Sequence, residues 1–357
     1  MTSSHGRLRT HRGITTLTSF VLPHFVLPHS LTTHLPMRLL ARSAVTLAIL
    51  LLPAAASAQH AGHAAPPAEA AARRPQPAAK AGPVGVILIA HGAEPSWNAE
   101  VERIAHTAQT GGPLEIAYLM GPAAREHRFQ DAASRLARAG VGQIVIVPLL
   151  VSSHSGHYEQ IRWLAGETDT LSEMMAHHLE MSGLTRASVD VPLRLARALD
   201  DAPQMAHVLA ERARALATAP ATQALFLVGH GPNSAEDYAF WMKNLRVVAD
   251  SVRASTEFRD VRVDLVRDDA PAPVRAEAVT RVRELIAMQR ALTGQPVVVV
   301  PVLVSKGRVS REKFMADLAG LDVVYSGEPL LPHPELARWI EARVREVIGE
   351  QGRTAAR

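Results

Sequence analysis

Apolar residues in this chain gather into short unbroken runs, separated by longer stretches in which they recur at helical spacing. The first run, at 84–92, reads VGVILIAHG and closes on a His-Gly pair. An apolar run of this length, bounded by turn formers, fits a strand buried on both faces of a parallel sheet. Such a strand would carry His91 to its carboxyl end, where open α/β sheets build their sites. The pattern returns at 224–231, ALFLVGHG, with His230 in the matching place. The chain is therefore read as a duplicated unit.

The intervening segments fit that reading. In the first half, helical spacing over 95–110 is followed by a strand at 113–120, a helix at 123–139 and a strand at 143–151 (QIVIVPLLV). A helix starts near Gly156, a polar stretch occupies 168–181, and a short strand near 191–195 precedes a helix at 202–216. The second half gives a helix through 237–251, a strand at 261–266, a helix at 273–291 and a strand at 296–304 (PVVVVPVLV). A helix at 310–318, a short strand at 323–325 and a closing helix at 334–348 complete it. Strands alternating with helices twice over predict an α/β protein of two tandem, doubly wound, flavodoxin-like parallel-sheet domains, at 84–220 and 221–349, with a tail at 350–357.

The region before the first strand has a different character. Arg38 and Arg42, the apolar core at 44–52 (AVTLAILLL) and the small residues Ala56-Ser57-Ala58 have the anatomy of a secretory signal peptide over 37–58. Residues 1–36 then read as an upstream extension. The Ala- and Pro-rich segment 59–83 reads as a disordered linker. These features predict a periplasmic or secreted chain with no permanent membrane span once processed.

Composition narrows the chemistry. The formal charge of +4 comes from arginines scattered among acidic residues, without a basic block, so nucleic acid is not an expected partner. With no cysteine in the chain, disulfides and thiolate metal sites are excluded. There is no G-x-G-x-x-G after a strand, no Walker-type loop and no G-x-S-x-G elbow, so nucleotide and hydrolase sites are not expected. A histidine phosphatase would want Arg before the His-Gly pair, where Ala90 and Gly229 stand.

The remaining candidates are histidines. First and third strands of a doubly wound sheet lie side by side, so their carboxyl-end loops share a crevice. His91 would meet the loop 152–157, SSHSGH, bringing His154 and His157 with it. Imidazole suits divalent Zn, Co, Ni and Fe, and a neutral ring can also accept a proton. A metallated nitrogen cannot take a proton, so several histidines would divide the roles.

A buried strand ending in HG, a third strand reading VPLL before small residues and His, and a tandem repeat of the unit resemble the class II chelatases, specifically the sirohydrochlorin cobalto- and ferrochelatases of CbiX/SirB type. The resemblance implies insertion of a divalent metal, Co²⁺ or Fe²⁺ with Zn²⁺ or Ni²⁺ also conceivable, into a tetrapyrrole without ATP. The metal would be a substrate, held by His91 with His157 or His154, with His91 and His154 as proton acceptors. Glu94 or Glu159 could assist, and Arg162, Lys306 and Arg308 could meet ring carboxylates. In the second half His230 remains, but Ser305-Lys306-Gly307-Arg308-Val309 follows the third strand, so its site reads as a relic. The alternative is an exported, non-catalytic binder of metal or tetrapyrrole on the same fold. Neither the metal, the ring nor the oligomeric state follows from the sequence.

Overall fold

The computed structural model describes residues 74–355, with side chains through residue 350. The upstream extension, the export signal and the linker as far as residue 73 lie outside the described residues. Two four-stranded, fully parallel sheets make up the described chain. The first holds β1 (Val84–Ala90), β2 (Leu114–Tyr118), β3 (Gln143–Leu149) and β4 (Leu193–Leu195) in the order β2-β1-β3-β4. The second repeats this with β5 (Ala224–Gly229), β6 (Asp260–Leu265), β7 (Val297–Val302) and β8 (Val323–Tyr325), ordered β6-β5-β7-β8. In each, the first and third strands are neighbours, which creates the topological switch. Ala90 pairs with Leu149, and Gly229 with Val302, so each His-Gly pair leaves its sheet level with the end of the third strand.

Alternation along each strand sorts residues between two cores. Val86 and Leu88 of β1 face the same apolar cluster as Leu225 and Leu227 of β5, so the two sheets share one interior. The helices α1 (Pro95–Thr107), α6 (Pro203–Leu216), α7 (Ala235–Ser255) and α10 (Pro334–Ala355) fill it. Ile87 and Ile89 point the other way, to α3 (Phe129–Arg138), α4 (Gly156–Leu164) and α5 (Glu173–Ser182). Phe226 and Val228 do the same in the second half, where α8 (Ala272–Thr293) and α9 (Phe314–Asp317) cover the outer face. Each fully buried aliphatic side chain contributes about 1.5–3 kcal/mol, so a core common to both halves joins them firmly.

The closing helices are exchanged. Helix α6, expected to finish the first half, packs on α7 and β7, whereas α10 packs on α1, α6 and β3. Arg343 of α10 donates to the carbonyl of Ala198 at 2.9 Å, anchoring that exchange in the first half.

Several expectations are corrected. The predicted helix at 123–139 is broken into α2 (Pro122–Glu126) and α3, because His127 leaves helical geometry and its carbonyl accepts from the Tyr118 amide at 3.2 Å. The polar stretch 168–181 contains the helix α5, capped by the Ser172 hydroxyl and ended by Gly183 at φ 66°. The helix at 310–318 begins as a π-helical turn, Val309–Lys313. Residues 74–83, assigned to a disordered linker, are held against the first half. Gln76 donates to the Ala165 carbonyl and accepts from the Leu193 amide, both at 3.0 Å, and Arg74 pairs with Asp169 at 2.8 Å. No helix among the described residues is long and apolar enough to cross a membrane.

Candidate functional site

The His-Gly pair has a steric cause. Gly92 sits at φ 84°, where a Cβ would come within 2.3 Å of the Met120 carbonyl oxygen. Only glycine tolerates that backbone and that approach. The turn folds the Gly92 carbonyl back over the preceding ring, and His91 Nδ1 donates to it at 2.8 Å. Gly231, at φ 80°, builds the same turn, and His230 Nδ1 donates to its carbonyl at 3.0 Å. A carbonyl can only accept, so in both histidines Nδ1 carries the proton and Nε2 keeps its lone pair.

His157 reaches the same state by another route. It is the second residue of α4, whose amino end is capped by the Ser155 hydroxyl accepting from the Tyr158 amide at 3.2 Å. One turn on, Gln160 is buried and its Nε2 donates to the Met175 carbonyl at 2.9 Å. That bond fixes the amide orientation and leaves Oε1 to accept from His157 Nδ1 at 2.9 Å. The Nε2 lone pair of His157 is therefore free as well. Gln160 was missed in the sequence; its i,i+3 spacing from His157, one helical face, was the available signal.

The structure brings His91 and His157 together, edge to face, with ring centroids 4.7 Å apart and planes at 82°. Burial, then the neighbouring His157 ring, lowers the His91 pKa from 6.5 to about 4. Burial likewise lowers His157, against the raising effect of the Gln160 hydrogen bond. His230, treated as a relic, is near enough to feel both rings: it contributes to the lowering at His91, and His157 contributes to the lowering at His230, where burial dominates. Burial lowers all three imidazoles, two from the first half and one from the second, which favours their neutral forms.

His154 turns elsewhere. Its ring stacks on Phe240 at 4.0 Å with planes 6° apart, and its carbonyl accepts from Trp241 Nε1 at 2.5 Å. Trp241 also meets His230 edge-on, at 5.3 Å. The loop bearing His154 is held by Asp200, which accepts from the Ser153 amide at 2.7 Å and hydroxyl at 2.8 Å. His154 joins the two halves instead of completing the imidazole pair. Glu94 does the same: Arg311 Nη2 donates to both of its carboxylate oxygens, at 3.0 and 3.1 Å.

The cations expected to meet ring carboxylates already have partners. Arg162 pairs with Glu159 at 3.1 Å, Lys306 with Glu328, and Arg308 with Glu312 at 3.5 Å. Partly exposed pairs such as these are worth about 0–1 kcal/mol, so an anionic ligand could displace them. In the second half the residue equivalent to His157 is Ser310. The third-strand prolines, Pro148 and Pro301, occupy matching register positions, and these two residues follow each by the same number of steps. Ser310 is fully buried, with its hydroxyl bonded within the turn to Gly307. Among the described residues, no group of three or more His, Asp or Glu side chains is arranged to hold a metal ion by itself.

Residues 85–216 match the CbiX family model. No curated protein matches the chain. Among solved structures, SirB from Bacillus subtilis, determined with Fe³⁺, has a TM-score of 0.54 at 15% identity, over 75% of this chain and 97% of that one. DR2241 from Deinococcus radiodurans, a multi-domain protein described as structurally similar to chelatases, gives 0.51 at 20% identity, over 74% of this chain and 55% of its own. At these identities the likeness is one of fold. The chain has the CbiX/SirB-like chelatase fold, with two parallel-sheet α/β domains.

Proposed function

We propose that the chain inserts a divalent metal, Co²⁺ or Fe²⁺, into a sirohydrochlorin-like tetrapyrrole without ATP. The observation that carries this reading is the His91–His157 pair, in which both Nδ1 positions donate to oxygen and both Nε2 lone pairs stay free. Neutral imidazoles can take an ion without first losing a proton. Two rings would hold the incoming metal, while His230 or a displaced ring accepts protons as the pyrrole N–H groups give way to metal. Both substrates meet in a water-poor crevice, and exchange of ligands needs neither nucleotide nor electron.

The test is the ring's visible absorption during titration of the full chain with Co²⁺ and sirohydrochlorin. Many turnovers per chain are expected, with loss of turnover in His91→Ala. Metallation no faster than in buffer would overturn the reading. A stoichiometric carrier is the second reading, favoured by the pairing of Arg162, Lys306 and Arg308 with carboxylates of their own. It predicts that metal or ring binds once and is not released as product. Export to the periplasm, through the signal read at 37–58, is part of the proposal.

A further inference from the structure

Beside the metal-binding pair, the crevice carries two further rings that metal binding does not use. Phe240, in the second turn of α7, is 39% exposed, whereas its neighbour Trp241 is buried. A single exposed aromatic is ordinary on a protein surface. This one has a partner: the His154 imidazole lies flat upon it, with centroids 4.0 Å apart and planes at 6°. Phe240 belongs to the second half and His154 to the loop that also carries His157. The stack therefore bridges the halves next to the site.

The stack is not what holds that bridge together. The backbone of His154 is pinned on both sides: its amide donates to Ser152 Oγ at 3.1 Å, and its carbonyl accepts from Trp241 Nε1 at 2.5 Å. The imidazole itself makes no hydrogen bond among the described residues, through either nitrogen; its ring contact is Phe240. Stacking of this kind favours the position by only about 2- to 12-fold. The other side of the junction manages without such a ring. Counted from the third-strand prolines, Pro148 and Pro301, the counterpart of His154 is Gly307. A Cβ there would lie 3.7 Å from Trp97 Cδ1, so an indole of the first half meets the second-half loop with no side chain between. The His154 ring is thus an addition to one side alone, lightly held on a fixed backbone.

We propose that Phe240 is the stacking platform for a flat, conjugated macrocycle, and that His154 is its movable cover, swinging aside as the ring enters. The inference rests on the tetrapyrrole reading of the crevice and deepens it by naming how the ring is recognised. The stack itself argues for the occupant: a face that receives an imidazole in parallel at 4.0 Å receives a flat π system. A conjugated macrocycle covers more of the Phe240 face than an imidazole can, so the exchange favours the ligand. The swing is a rotation of the His154 side chain and breaks no hydrogen bond of its imidazole. The platform also adjoins the imidazoles through both of its members. Phe240 precedes Trp241, whose indole meets His230 edge-on at 5.3 Å, and His154 lies three residues before His157.

The test uses the full chain and metal-free sirohydrochlorin, so that ring binding is read apart from metal insertion. Binding is followed by tryptophan quenching in wild type, Phe240→Leu and Phe240→Trp. A porphyrinogen, which carries carboxylates on a puckered, unconjugated ring, is the control, and Co²⁺ affinity is measured alongside. Phe240→Leu should weaken sirohydrochlorin about tenfold, equivalent to ~1.4 kcal/mol, without weakening the porphyrinogen or Co²⁺. Phe240→Trp should restore the ring. The His154 ring hydrogens, identified in NMR by their loss in His154→Gln, should be shielded by Phe240 in the free chain and move downfield as the macrocycle saturates. No ring binding by the wild type, unchanged affinity in Phe240→Leu, equal weakening of the porphyrinogen, or stationary His154 signals would overturn the proposal. Turnover by the wild type with the same half-saturating ring concentration in Phe240→Leu sinks the platform and leaves the chelatase reading intact. If ring binding depends on Phe240 but no metal is inserted, the platform stands and the chelatase reading falls.

Discussion

Acidification should weaken this fold through His91, by an amount that follows from its surroundings. The ring is neutral in the folded chain with a pKa of about 4, against 6.5 when unfolded. Between those values the unfolded chain binds the extra proton, so the contribution to stability is fully present above pH 6.5 and is lost as pH falls toward 4. At ~1.4 kcal/mol per unit of pKa, the loss from pH 7 to pH 5 is about 2 kcal/mol for this residue alone. His157 and His230 are lowered too and act in the same direction. The perturbation is His91→Asn, which cannot titrate. Urea unfolding followed by circular dichroism, at pH 7 and pH 5, should show the variant losing ~2 kcal/mol less than wild type across that interval. Proton NMR of the imidazole Cε1 hydrogens would give the titration directly. Equal losses in the two proteins, or a His91 midpoint near 6.5, would refute the claim that burial and the neighbouring ring hold it neutral.

Gln160→Leu should release His157 from its single tautomer and remove the bond from residue 160 to the Met175 carbonyl; Co²⁺ affinity should fall about 10-fold or more, and thermal unfolding should register a loss of ~1–3 kcal/mol. His230→Ala should weaken Co²⁺ binding measurably in calorimetry, because its ring shares the crevice; an affinity equal to wild type would return it to the status of a relic. Ser310→His should not create a second site: the position is fully buried, so overpacking should cost ~1–3 kcal/mol in a thermal melt, with no gain in bound cobalt. Export should remove residues 37–58, which mass spectrometry of the protein recovered from the periplasm would show as a mature terminus near Gln59.

The fold was legible because its strands are buried on both faces. Runs such as VGVILIA and QIVIVPL leave no other state in which so much apolar surface escapes water, and the repeated HG endings put both switch points in register. Helix ends were less legible. The break at His127 depends on a carbonyl bonding to Tyr118 across the sheet edge, and the helix at 173–182 hides its apolar face in only a few positions. The exchange of α6 and α10 between halves leaves no local signature, since either sheet presents an aliphatic face of the same kind. Residues 74–83 read as linker because their composition is Ala- and Pro-rich, yet a few polar groups, those of Gln76, Arg74 and Lys80, tie the strap that precedes β1 to the first half.

The histidines divide along the same line. His91 was readable, since a strand end and a glycine with positive φ determine where the ring goes. Spacing alone could not separate His154 from His157, because the choice is made by residues distant in sequence. Phe240 and Trp241, in the other half, draw His154 away, and Gln160, itself held by Met175, turns His157 inward. The second half has a buried serine, Ser310, at the equivalent of His157, so His230 has no same-half imidazole at the matching loop and its ring meets Trp241 instead. The two strand ends match, HG in each half, while the loops after the third strands differ, SSHSGH against SKGRVS. A substitution in α7 that moves Trp241 should therefore disturb the first-half loop as much as the second, which no reading of either half by itself would suggest.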